Sequence, residues 1–324
     1  MPHVTFIHGL ANKPAAEALL RSWEHGFAHP DGFDLGDHGV TTSMVYWADV
    51  LYAEPLPEAS STEAATSEEE AEALAAEAAS AAGGWGDLDA EGRAFVERLG
   101  TKMGVEHSEA SAEAPVEPEA RGAYEALERI PLPWFIKRRV LRLLIRDAHH
   151  YLFNASSSPR PGDTYAVQEE LRRRFVAALK EGAERTEGGP HVVVSHSMGT
   201  IVAYDCLVRV PECPAVDAVV TIGSPLGLDE VQDRLRPEGA GQPGWSREDG
   251  FPSPDKLRGP WVNVYDPLDV VCALDPRLAN DYRRGGRPAI DDLEVSNEGS
   301  WRHGFLNYAR RGVVRDRLRA LLGL

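Results

Sequence analysis

The stretch His191-Val-Val-Val-Ser-His-Ser-Met-Gly-Thr200 joins an apolar, β-branched run to a turn of small residues, and a helical pattern over residues 200–209 follows. Consecutive valines with no polar alternation describe a strand covered on both faces, as in a parallel sheet. Ser195 and Gly199 lie two positions either side of Ser197, where a strand bending sharply into a helix leaves no room for larger side chains. Such a bend lifts the Ser197 hydroxyl out at the carboxyl end of the sheet, close to helix N-terminal N–H groups able to receive developing negative charge. In isolation a serine before a helix is equally an N-cap. The flanking chain has to decide.

Strand and helix alternate on both sides. His3-Val-Thr-Phe-Ile-His-Gly-Leu10 is a short β-rich run stopped by glycine; a helical pattern over 15–27 and a strand over 41–47 complete a first crossover. Beyond residue 163 come a helix over 164–181, the valine strand and its helix, and a strand over 218–222. A loop-rich stretch over 224–259 precedes strands over 261–265 and near 290–295, and a last helix covers 304–322. This order predicts an α/β fold with a doubly wound, mostly parallel sheet, its core in residues 1–49 and 163–324.

Residues 50–162 read as a largely helical, partly low-complexity acidic insertion. Of the net charge of −17, residues 54–119 supply 17 acidic against 3 basic side chains, so the remainder is nearly neutral. A general nucleic-acid partner would have to overcome that repulsion and is not expected. Residues 67–82 could form an exposed helix of marginal order, since Ala and Glu favour helix but few large side chains are present to dock it. Further on, Trp134-Phe-Ile-Lys-Arg-Arg-Val-Leu-Arg-Leu-Leu-Ile-Arg146 scans as an amphipathic helix with Arg138, Arg142 and Arg146 on one face. It is expected to pack on the domain with that face solvated. The alternative is a lid, or a transient membrane-surface contact through 134–146.

Three cysteines without metal-like spacing (Cys206, Cys213, Cys272) suit a reducing compartment, and no metal site is expected. With no charged leader and no apolar run near ~18 residues, the expectation is a soluble, cytoplasmic protein.

The segment Val194-Ser-His-Ser-Met-Gly-Thr200 resembles the nucleophile elbow of α/β-hydrolases, Gly-x-Ser-x-Gly, with Ser195 in place of the first glycine. Phe6-Ile-His-Gly-Leu-Ala11 is similar to the His-Gly loop that supplies part of the oxyanion hole in that superfamily. The resemblance implies a sheet of about six strands. It also implies an oxyanion hole from the N–H groups of Leu10 and Met198, with His8, Gly9, Ser195, His196 and Gly199 in support. His196 adjoins the nucleophile, but its side chain should point away from the hydroxyl.

The superfamily's chain order of Ser, Asp, His implies Asp269 as acid, from Trp261-Val-Asn-Val-Tyr-Asp-Pro-Leu-Asp-Val-Val271, with Asp266 the alternative acid. His303, in Ser300-Trp-Arg-His-Gly-Phe-Leu-Asn-Tyr308, is implied as base. Ile222-Gly-Ser-Pro225 further resembles lipase and esterase relatives.

The implied function is a serine hydrolase that cleaves a small-molecule carboxylic ester, of a lipid or other acyl group, through an acyl-enzyme on Ser197, with no cofactor. A thioesterase, acyltransferase or peptidase would use the same triad. From another class, a catalytically silent scaffold would use the insertion to bind a protein partner, whose identity the sequence does not give.

Overall fold

The computed structural model describes residues 1–29, 32–58, 67, 72, 88–105, 121–186, 188–236 and 249–324. But for residues 67 and 72, the helix expected over 67–82 lies outside them. Six strands form one sheet: β1 (His3–Ile7), β2 (Thr41–Val45), β3 (His191–His196), β4 (Ala218–Ile222), β5 (Trp261–Tyr265) and β6 (Ile290–Glu294). All pair in parallel, in the order β6-β5-β4-β3-β1-β2. Every residue of β1, β3, β4 and β5 is buried, whereas the edge strands β2 and β6 are partly exposed. The valine run of β3 thus lies at the centre of the sheet, as its composition requires.

Successive side chains of a strand point to opposite faces, and two cores result. Val4, Phe6, Val192 and Val194 pack on one face with Leu19, Trp23 and Phe27 of α1 (Ala16–Ala28) and with residues near the carboxyl terminus. Ile7 and Val193 pack on the other. After the short α2 (Ala48–Leu51), that second face is covered by α3 (Ala90–Lys102), α5 (Trp134–Leu152), α6 (Val167–Arg185) and α7 (Met198–Arg209), with α4 (Arg121–Glu128) leading into α5. Strand order reverses between β1 and β3. In an open parallel sheet the carboxyl ends of strands at such a switch point flank the crevice where ligands bind.

Several expectations are corrected. The helix after the valine strand begins at Met198, immediately beyond Ser197. Within 224–259 lie the short helix α8 (Asp229–Arg234) and the strand Phe251–Pro252, which pairs with Tyr282–Arg284 outside the main sheet. The terminal helix is two, α9 (Phe305–Ala309) and α10 (Gly312–Leu322). Arg315 of α10 donates from Nε to the Ala309 carbonyl and from Nη2 to that of His29, so a guanidinium serves the carbonyl end of α9 at the break.

The arginine face of α5 is largely covered, with Arg142 half-buried. Arg138 is 4% and Arg146 9% exposed, and Lys137 is buried with Nζ 2.6 Å from the Leu127 carbonyl. Helical periodicity identified the stripe correctly, but partners from other segments meet it: Arg142 donates to the Val105 carbonyl and Arg146 to the Tyr52 hydroxyl, while Arg146 also pairs with Asp147 of its own helix. No described helix is long and apolar enough to cross a membrane.

At the amino ends of β1 and β3 the rings of His3 and His191 meet edge to face, 5.1 Å apart. His3 bonds the hydroxyls of Thr41 and Ser43, and His191 that of Thr5. Burial above all holds both imidazoles at a pKa of about 4, against an ordinary 6.5, and the neighbouring His191 lowers that of His3 further. The unfolded chain therefore binds more protons than the native one between these values. Stability contributed by keeping the rings neutral is complete above pH 6.5 and is lost as pH falls towards 4. Urea midpoints should drop between pH 7 and 5, and the drop should be shallower in His191→Gln; parallel profiles would exclude this assignment.

Candidate active site

The turn from β3 to α7 passes through Ser197, whose φ of 54° and ψ of −128° lie where side-chain-bearing residues are rare. Its N–H donates to the Ile222 carbonyl, which ties the turn to β4. A Cβ on Gly199 would lie 2.6 Å from the His8 carbonyl oxygen and 2.8 Å from that of Ile7, so glycine lets β1 and its following loop close on the helix start. The Ser195 hydroxyl, where the elbow pattern has glycine, donates to the Val220 carbonyl at 3.1 Å.

The loop after β1 lies against the serine. A Cβ on Gly9 would sit 2.4 Å from Ser197 Cβ and 3.0 Å from its Oγ. His8 supports that loop: Nδ1 is 2.9 Å from the Gly9 carbonyl, Nε2 accepts from the Trp47 N–H, and the ring stacks on the Trp47 indole at 4.7 Å. That pattern assigns the proton to Nδ1. Leu10 follows, buried, and the Ala11 N–H donates to Asp147 Oδ2 at 3.1 Å. Met198 opens α7, so its N–H belongs to the first-turn amides that lack an intrahelical acceptor.

His303 Nδ1 lies 2.8 Å from Asp269 Oδ2. The same oxygen accepts from the Tyr308 hydroxyl at 2.6 Å, and Oδ1 accepts from the Val271 N–H. Complete burial acts to raise the Asp269 pKa, but the His303 imidazole and these three hydrogen bonds outweigh it and hold the carboxyl below its ordinary value. With Nδ1 occupied by the carboxylate, Nε2 is left as the acceptor. Both it and Ser197 Oγ are buried without a hydrogen-bond partner among the described residues.

The two residues share one end of the sheet. His196, adjoining Ser197, is 2.8 Å from the His303 carbonyl through Nε2, and the two imidazoles stack at 4.6 Å. Its ring is thus engaged with the histidine loop.

Asp266 does something different. Its Oδ1 accepts from the Leu268 N–H, and its Oδ2 from the Asn297 N–H and Arg302, tying the turn to the loop that bears His303 without touching the imidazole. Tyr308, Asp147 and Trp47 were not singled out from the sequence. Tyr308 stood in the quoted histidine segment, but nothing in residue type marks a tyrosine as a donor to a carboxylate 39 positions away.

A model of the alpha/beta hydrolase family matches residues 131–305, more than half of the chain and inclusive of Ser197, Asp269 and His303. No curated protein matches. A solved structure from work on LipS and LipT, two metagenome-derived lipolytic enzymes, is 12% identical with a TM-score of 0.38, covering 100% of this chain and 94% of that one. An uncharacterized protein from Pseudomonas aeruginosa is 10% identical with a TM-score of 0.31, over 92% of this chain and 41% of that one. The RedJ thioesterase of Streptomyces coelicolor prodiginine biosynthesis is 15% identical with a TM-score of 0.30, over 100% and 89%.

Gly223 closes the site from behind. It has φ 54°, and a Cβ there would lie 2.8 Å from Asp269 Oδ2 and 3.2 Å from the His303 ring. Gly39 has a similar φ of 69° but open surroundings. Gly39→Ala should therefore cost only the left-handed penalty of about 1 kcal/mol, and Gly223→Ala about 2–4 kcal/mol once overpacking is added. Urea denaturation of the two variants checks this; equal losses would rule out the close approach.

Proposed function

The chain belongs to the alpha/beta hydrolase family, and from that membership we propose that it is a serine hydrolase cleaving a carboxylic ester through an acyl-enzyme on Ser197. The observation that carries this reading is that Asp269 holds one ring nitrogen of His303, while the other, Nε2, and Ser197 Oγ are buried with no hydrogen-bond partner among the described residues. A buried hydroxyl left unbonded is costly. Attack on a substrate carbonyl would give this hydroxyl its use.

In the proposed reaction His303 Nε2 takes the Ser197 proton as Oγ attacks the acyl carbonyl, and Asp269 holds the Nδ1–H tautomer and stabilises the imidazolium. The negative charge on the carbonyl oxygen is received by the N–H groups of Leu10 and Met198, each such donor contributing about 3–4 kcal/mol to the transition state. Nε2 then protonates the departing alcohol. Water, activated by the same nitrogen, releases the acid and restores Ser197.

An apolar acyl group is supported by the surroundings. Leu10, Met198, Val271 and Trp301 belong to the same buried apolar cluster as Phe95 of α3 and Ile136 of α5.

A fluorophosphonate probe should label the wild type at Ser197 and leave Ser197→Ala unlabelled. With a series of acyl esters, Asp269→Asn and His303→Ala should lose on the order of 10³–10⁴-fold in kcat, and Asp266→Asn less than about tenfold. Labelling that persists in Ser197→Ala would sink the proposal.

A further inference from the structure

The geometry points to Asp147, on helix α5, as a positioning residue that aims the oxyanion loop; this rests on the serine-hydrolase reading above. Two successive peptide planes matter in the loop between β1 and α1. In the first, the Gly9 carbonyl and the Leu10 N–H belong to one planar unit and point in opposite directions, so the bond between His8 Nδ1 and the Gly9 oxygen sets where the Leu10 N–H is directed. In the second, the Leu10–Ala11 plane, the Ala11 N–H is taken by Asp147 Oδ2. Leu10 is gripped on both sides, once from the sheet core and once from α5.

Three features show that the second grip is built. Ala11 has φ 70°, a conformation an alanine holds only under support. Its acceptor is a fully buried carboxylate reaching it from 136 residues away, and a hydrogen bond to a charged acceptor is roughly twice as strong as a neutral one. That carboxylate is in turn fixed. Arg146 donates from Nε and Nη2 to its Oδ1, leaving Oδ2 for the loop, and the Arg146 Nη2 also donates to the Tyr52 hydroxyl at 2.6 Å.

A buried ion pair of this kind gives little net stability, and its value here lies in direction. Oxyanion donors act only when within about 2.7–3.1 Å of the developing charge, and a misplacement near 1 Å can cost about 10²-fold in rate. The segment between β2 and α6 thereby contributes to the chemistry itself, through a residue that touches neither substrate nor Ser197.

The test compares wild type, Asp147→Ala, Asp147→Asn, Tyr52→Phe and Ser197→Ala on a short p-nitrophenyl ester, with active sites titrated by a fluorophosphonate. In Asp147→Ala, kcat per titrated site should fall at least about tenfold with KM within about twofold, since only transition-state binding is lost. Asp147→Asn should lie between, because its amide oxygen still accepts the Ala11 N–H. A merely structural role would lower the melting temperature or the number of titratable sites and leave kcat per site unchanged. Asp147→Ala at wild-type kcat per site, with Ser197 still labelled, overturns this role alone. If neither Asp147 variant folds, Tyr52→Phe decides: a reduced kcat per site supports the role and an unchanged one overturns it. A wild type that neither labels nor hydrolyses removes the serine-hydrolase reading and this role together.

Discussion

The backbone of Ser197 is held in a conformation that costs a non-glycine residue about 1–3 kcal/mol, and much of the architecture around it follows from keeping it there. A strand that turns into a helix in one residue needs neighbours with little volume. Gly9, Ser195 and Gly199 supply that on three sides, and β1 can then approach until its loop touches the serine side chain. The parallel order of β1, β3 and β4 fixes the remaining directions, because Ser197 N–H finds its acceptor on β4 only in that register.

The second requirement is electrostatic. Asp269 is wholly enclosed, and an isolated carboxylate there would take up a proton. Three donors prevent this, and one of them, Tyr308, comes from α9. Asp266 works on the same loop by backbone and guanidinium contacts. Two aspartates three residues apart thus divide the tasks of meeting the imidazole and holding the loop that carries it.

Much of this was legible in the chain. The valine run over 191–195 announced a strand covered on both faces, and alternation of strand with helical patterns gave the doubly wound order. The serine stood out because its small neighbours are needed by the turn itself. Asp269 and His303 were implied through a family's chain order, and local pattern alone did not separate Asp269 from Asp266. Tyr308 and Asp147 were illegible for a physical reason: each acts on a group far along the chain, and neither residue type nor periodicity encodes what a side chain will meet across the fold. The arginine stripe of α5 shows the same limit. A helical wheel describes one helix, and whether its charged face meets water or a carbonyl and a hydroxyl across the fold is decided by other segments.

Ser195 occupies a position where the familiar pattern asks for glycine, and its hydroxyl is absorbed by a carbonyl of the adjoining strand. A serine has fewer backbone conformations to lose on folding than a glycine, so the substitution stiffens the approach to the bend while keeping its volume small. Size and a satisfied proton are what this place demands. Pattern searches that insist on the letter rather than the bulk would pass over chains built in this way.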